Sequence, residues 1–172
     1  REALKRILGP KWMSHTYFMP QPIDTTLFSP ASKAETVEFR SRTGSGDSFL
    51  IFHPSRVMMK HTRFLQRSGQ WKGNSLLLEG MNIGLKRGVD LRLMIPRQKD
   101  SPDLEAFTER ATELDLRDRI IWLDPSPDHS FSWQQIARMY PSCNVAVDEF
   151  GAGWFGQVTL EAASCGVPTA SH

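Results

Sequence analysis

From Ser48 onward, apolar runs of strand length alternate with segments of helical period, and that alternation restricts the fold more than any other feature of the chain. The runs are SFLIFH (48–53), DLRLMI (90–95), RIIWL (119–123), NVAVD (144–148) and VPTAS (167–171). Strands separated by helices need crossover connections, which make the strands parallel and place helices on the sheet faces. Between the first two strands, residues 75–87 carry Leu77, Leu78, Met81 and Leu85 on one side, with Asn74 in a capping position and Gly88 as the stop. Residues 102–114 open on Ser101 and Pro102 and repeat Leu104, Phe107, Ala111 and Leu114 as an apolar stripe. SWQQIARMY (132–140) stops at Pro141, and 157–165 stops at Gly166. The expected class is α/β: a doubly wound, Rossmann-like parallel sheet over residues 48–172.

Residues 1–47 break this rhythm. They hold an amphipathic piece (1–8), a strand-like HTYFM (15–19) and a connection with Pro and Ser that includes SRTGSGDS (41–48). The segment reads as the end of a preceding domain plus an interdomain linker, with residues 1–30 packing loosely or extending away. Because the chain starts inside a helical pattern and stops just after VPTAS, the 48–172 domain is expected to be truncated at its C-terminus.

Composition narrows the partner classes. With 172 residues, 40% hydrophobic and 23% charged, the chain suits one globular domain, which excludes disordered and fibrous classes. A net charge of +2 does not imply a nucleic-acid partner for the whole chain. Cys143 and Cys165 have neither the number nor the spacing of a disulfide framework, so both are expected to be reduced core residues of a cytoplasmic protein. No apolar run approaches the roughly 20 residues of a membrane span, and REALKRILG carries no signal-peptide core.

Ligands of doubly wound sheets bind beyond the carboxyl ends of the strands, which directs attention to the loops after His53, Ile95, Leu123 and Asp148. The first is HPSRVMMKHTRFLQRSGQWKGN (53–74), with Arg56, Lys60, His61, Arg63, Arg67 and Lys72; the last is EFGAGWFG (149–156). A basic loop facing a glycine-rich helix start suggests an anion held between them, because helix N-termini offer free N–H groups and a positive dipole end. Gly153 and Gly156 would let the backbone come close. Arg56 and Lys72 would neutralise charge, and Glu161, one turn into the helix, would accept from ribose hydroxyls. The ligand so described is a nucleoside diphosphate. Each feature also has a plainer reading: a solvated basic loop, a turn device, a surface glutamate, packing aromatics at Trp154 and Phe155. The five histidines lack ligand spacing, which argues against a metal site, and no Asp-x-Asp pair follows a strand. Asp124, Asp128 and Glu149 are rim carboxylates or turn residues.

Together these motifs resemble the C-terminal, nucleotide-sugar-binding half of the retaining glycosyltransferases of family 4, which have the GT-B architecture. The resemblance runs from about Tyr17 to Ser171 and is carried by FMPQPIDTTLFSP (18–30), HPSR (53–56), WKGNSLLLEG (71–80), LRDRIIWLD (116–124), QIARMYPSCNVAV (135–147) and FGQVTLEAASCGVPTAS (155–171). It implies sugar transfer from a nucleoside diphosphate sugar with retained configuration, without metal or other cofactor. Arg56 and Lys72 would then meet the leaving-group charge as catalytic cations. The nucleoside would lie against Leu123 and Asp124, with Glu161 on the ribose. Backbone around Gly153, Phe155, Gly156, Gln157 and Val158 would hold sugar and diphosphate. An acceptor glycan or lipid would bind an N-terminal domain outside this chain, leaving the fragment inactive alone, and the full enzyme would associate peripherally with a membrane.

Two positions depart from the family pattern. Gly153 stands where the family has the first acid of Glu-x7-Glu, and the interval from Arg56 to Lys72 is longer than usual. Three other classes stay open: a non-catalytic nucleotide-binding or interaction domain of the same fold, a nucleotide-sugar epimerase lacking a locatable acid set, and a nucleic-acid binder using Trp71 and Phe64 for stacking. The expectation adopted is a donor-sugar domain with no nucleic-acid partner.

Overall fold

A computed structural model describes residues 21–67, 71–98, 101–125, 130–151 and 156–171. The elements in chain order are α1 (Lys33–Thr43), β1 (Phe49–Phe52), α2 (Arg63–Arg67), α3 (Asn74–Lys86), β2 (Leu91–Pro96), α4 (Leu104–Glu113), β3 (Ile120–Leu123), α5 (Trp133–Met139), β4 (Val145–Val147), α6 (Gln157–Ser164) and β5 (Thr169–Ala170). Among the described residues, two 3-10 turns, Arg117–Arg119 and Tyr140–Ser142, precede β3 and follow α5.

The five strands form one sheet in the order β3-β2-β1-β4-β5, and every neighbouring pair is parallel. Period-two alternation sorts the strand side chains between two apolar layers. Leu50, Phe52, Met94 and Ala146 face one layer, completed by Ala137, Tyr140, Ala162 and Cys165. Ile51, Leu93, Ile95 and Val147 face the other, completed by Leu77, Leu78, Met81, Phe107 and Ala111. Burial on both sides explains why the strands read as continuous apolar runs. The doubly wound, Rossmann-like sheet expected from the sequence is present.

The order of the strands also locates a crevice. The chain winds outward from β1 through β2 to β3, then returns to place β4 on the other side of β1. The carboxyl ends of β1 and β4 are therefore the switch point at which such sheets bind ligands.

The structure departs from the sequence expectation in three places. Residues 33–43, read from the sequence as part of a connection, form a capped helix: Ser32 Oγ accepts from the Glu35 N–H at 3.3 Å, and Glu35 Oε2 accepts from the Ser32 N–H at 2.9 Å. Its Arg40 donates to the Gly46 and Ser142 carbonyls at 2.8 and 3.1 Å, which ties the helix to the turn before β4. Second, residues up to 30 do not all stand apart, since Phe28 is 3% exposed within the core and its ring meets Tyr140 edge-on at 6.0 Å; residues 1–20 lie outside the described set. Third, Asn74 is the first residue of α3 and caps nothing. Gly73 takes the cap position with φ 67°, a left-handed conformation that favours glycine, and an added Cβ there would lie 3.0 Å from Phe150 Cβ. Cys143 and Cys165 are buried free thiols, and burial pushes them up to about 12 and about 11.

Candidate functional site

Four polar side chains meet where β1 and β4 end. Lys72 Nζ lies 3.4 Å from Asp148 Oδ1 and is also hydrogen-bonded to Glu149 Oε1. Asp148 Oδ1 in addition accepts from Ser55 Oγ. The Phe150 N–H donates to the Lys72 carbonyl at 3.0 Å, so the backbone of the α3 approach is fastened to the loop after β4. The three charged side chains are 15%, 5% and 10% exposed, in the order Lys72, Asp148, Glu149. That is a buried ion-pair cluster with one more negative charge than positive, and Glu149 Oε2 has no protein partner.

Beneath this cluster, His53 is fully buried between β1 and β4. Asn74 Nδ2 donates to its Nε2 at 2.7 Å, which leaves Nδ1 to donate to the Val147 carbonyl at 3.2 Å. Asn74 Oδ1 accepts from the Met58 N–H at 2.7 Å. Burial lowers the imidazole to about 4, so His53 is neutral near pH 7 and both its nitrogens are committed. It is a strut between strands and the basic loop.

A cavity of about 470 Å³ opens on the same rim, walled by the loops after β1, β2 and β3 and by the first turns of α6. Pro54, Gln98 and Pro125 represent the three loops; Gln157, Val158 and Glu161 represent α6. Phe131, Trp133 and Ile136 give it an apolar flank. Gln98 Nε2 donates to the Pro54 carbonyl at 2.5 Å, bridging two of the walls. Arg97 is fixed from two sides, with Nε 2.6 Å from Asp124 Oδ1 and its guanidinium 4.6 Å from the centre of the Trp122 ring.

Glu161 is only 3% exposed, unlike the surface glutamate of the plainer reading. Tyr140 Oη donates to its Oε2 at 2.5 Å. Burial raises the Glu161 carboxyl above its ordinary value, partly opposed by hydrogen bonds from Tyr140 and Gln157. The Tyr140 hydroxyl is pushed far upward, first by burial and then by its bond to Glu161, so it remains a donor.

The structure brings Gln157, Val158 and Glu161 together in the cavity. Leu123 and Asp124 instead border an adjacent groove between β3 and α5, and Pro125 is the residue of that loop that reaches the cavity. Lys72 sits in the cluster at the end of β4, and Arg56 is exposed on the loop beside Ser55. Gly153 and Phe155 lie outside the described residues, as does Trp154. Gly156 has φ −84°, so it does not use glycine's freedom in φ. Its reason is close approach, since an added Cβ would lie 2.5 Å from Asp148 Oδ2. Residues not anticipated are Tyr140, Asp148, Arg97 and Gln98. Glu149, expected as a rim or turn residue, is buried against Lys72.

No protein-family model matches the chain, and no curated protein matches it significantly. Solved structures do. One is Alr3699/HepE of Anabaena in complex with UDP-glucose, with a TM-score of 0.70 at 19% identity, covering 96% of this chain and 40% of that one. A second is the C-terminal domain of the glycosyl transferase group 1 family protein LpcC of Francisella tularensis, with a TM-score of 0.63 at 17% identity and coverages of 87% and 70%. A third is sucrose-phosphate synthase of Thermosynechococcus elongatus, with a TM-score of 0.62 at 20% identity and coverages of 99% and 38%. The fold is that of GT-B glycosyltransferase domains. This chain spans about two-fifths of the HepE structure. Within the GT-B frame, the cavity and the Lys72 cluster both lie at the carboxyl rim of the sheet. Among the described residues no helix is long and apolar enough to cross a membrane.

Proposed function

We propose that the chain is the donor-binding half of a retaining, metal-independent glycosyltransferase resembling family 4, acting on a nucleoside diphosphate sugar. The observation that carries this reading is the cavity itself, which opens on the carboxyl rim of the sheet beside the switch point and is walled by the start of α6 and the buried Glu161. HepE, which shares the fold, has been crystallised with UDP and with UDP-glucose.

In this reading the nucleoside lies against Pro125 and the apolar flank, while Glu161 accepts from a ribose hydroxyl. The diphosphate meets free N–H groups at the start of α6, including those of Gly156, Gln157 and Val158, with the positive end of the helix dipole behind them. Arg56 and Lys72 supply fixed positive charge as the bond to the leaving diphosphate breaks. Lys72 does this from its seat between Asp148 and Glu149, which holds it in one place, although the two carboxylates outnumber it and leave Arg56 and the start of α6 to supply the net positive charge. The acceptor, a glycan or lipid, binds an N-terminal domain beyond this chain in a cytoplasmic, peripherally membrane-associated enzyme.

One observation favours a second reading, a non-catalytic nucleotide-binding domain of the same fold. Lys72 is already paired with two carboxylates, as a structural cation would be. Saturation-transfer NMR with UDP-, GDP- and ADP-sugars tests the binding half common to both readings. Transfer to ribose and base protons of one nucleotide is expected; none from any member of the panel would overturn both.

A further inference from the structure

We propose that Tyr140 is the positioning residue for Glu161: its hydroxyl fixes one carboxylate oxygen inside the domain and thereby orients the carboxyl for the donor in the cavity. This inference rests on the cavity being the donor site. Tyr140 is fully buried and opens the 3-10 turn that ends α5. Its ring packs edge-on against Phe52 of β1 at 5.0 Å and against Phe28 at 6.0 Å. Two aromatic walls leave the phenol one direction in which to point, and at its end lies Glu161 Oε2, 2.5 Å away.

Glu161 needs such an anchor. A glutamate side chain turns about three bonds, and a ligand that must freeze them binds less tightly than one that finds them set. Because the residue is nearly buried yet lines the cavity, only a small part of the carboxyl reaches a ligand, and its orientation decides whether contact is made. Among the described residues, the groups facing it are few. Tyr140 and Gln157 donate to it, and Asp148 adds a like charge that opposes ionisation; Cys165, a thiol held protonated by burial, stands at the end of the same helix. Gln157 is itself held by Gln21, whose Nε2 donates to Gln157 Oε1 at 2.8 Å. Removing the Tyr140 hydroxyl therefore removes one of two donors that favour the carboxylate. The Glu161 carboxyl then moves further up, and binding that needs the carboxylate fails at a higher pH.

Tyr140→Phe keeps the ring and deletes one oxygen. Calorimetric titration with UDP-glucose, GDP-glucose and ADP-glucose on the parent identifies the probe. The tightest of the three is then titrated into Tyr140→Phe, Glu161→Gln and the double variant between about pH 5 and pH 8. Tyr140→Phe is expected to weaken binding by about three- to tenfold and to displace the acid limb of the profile upward. On the Glu161→Gln background it should add nothing, the signature of two residues acting as one unit. Equal losses on both backgrounds with an unmoved pH profile would reduce Tyr140 to packing and overturn the proposal. Should Tyr140→Phe not fold, the hydroxyl proton of Tyr140 in the parent decides. It should stay protected from exchange with the sugar nucleotide bound, and its loss on binding refutes the assignment. A parent that binds none of the three overturns the donor-site reading itself, whereas a parent that binds and a Tyr140→Phe that binds equally well overturn only the role of Tyr140.

Discussion

Replacing Lys72 with Met is expected to destabilise the domain severely, whatever it does to ligand binding. The substitution keeps an apolar stem of similar length but leaves Asp148 and Glu149, 5% and 10% exposed, without their shared cation. Breaking a buried pair by removing one partner costs about 3–5 kcal/mol. In a chain of this length each kcal/mol lowers Tm by about 2–4 °C, so the fall should be roughly 6–20 °C. Urea unfolding at neutral pH measures the loss directly. The internal control is Lys72→Met combined with Asp148→Asn and Glu149→Gln, which removes the stranded charges and should recover much of the loss, the remainder being the cost of the buried amides. A single Lys72→Met costing less than about 1 kcal/mol would place the cluster among solvated surface pairs and refute the reasoning. So would a triple variant as damaged as the single one, because the loss would then come from packing and not from charge.

Three further outcomes follow from the same geometry. Arg56→Ala should weaken donor binding by about ten- to a hundredfold, measured by calorimetry, while Lys60→Ala, Arg63→Ala and Arg67→Ala change it little; equal losses at all four would reassign the contact to general charge. Gly156→Val should abolish donor binding, because the new side chain starts 2.5 Å from Asp148 Oδ2, so that either this carboxylate, which also holds Ser55 and Lys72, or the start of α6 must move; an unchanged titration would contradict it. His53, lowered to about 4 by burial, should show no ring titration by NMR above about pH 5. The unfolded chain takes up that proton below its ordinary value of 6.5 and the folded one only near 4. The resulting stability is present above pH 6.5 and is lost as the pH falls through this window, by up to about 3 kcal/mol. A folded-state midpoint near 6.5 would refute the buried, neutral assignment.

The sheet was legible because Leu50, Ile51 and Phe52 in β1, and Leu93, Met94 and Ile95 in β2, are buried on both faces, and burial on both faces makes a continuous apolar run of strand length. Helix α1 was hidden for the opposite reason, since none of its residues is buried and it has no apolar stripe. The sequence signal that remains is the Ser32-x-x-Glu35 capping box, which marks a helix start without hydrophobic periodicity. Asn74 shows the converse error: a residue type common at caps was a buried bridge from His53 to the Met58 backbone. At the site, the sequence marks Glu161 by its place in the helix, and its burial follows from Val158, Ala162 and Cys165, which share its stripe at helical spacing on the inner face. The pairing of Lys72 with Asp148 and Glu149 spans 76 and 77 residues. Nothing local encodes it; only the strand order, which sets β4 beside β1, brings the loops together. Tyr140 escaped notice because a tyrosine ahead of Pro141 reads as the last turn of a helix, and its function depends on where α6 lies.

The central claim, that the cavity beside α6 receives a nucleoside diphosphate sugar through Glu161, is tested most directly by calorimetric titration of the parent chain and of Glu161→Gln with the sugar nucleotide that the panel selects. Saturable binding to the parent is predicted, weakened by about ten- to a hundredfold in a folded Glu161→Gln, the equivalent of one charge-assisted hydrogen bond of about 1.5–3 kcal/mol. Equal affinity in the two proteins, or no binding to the parent, would contradict it.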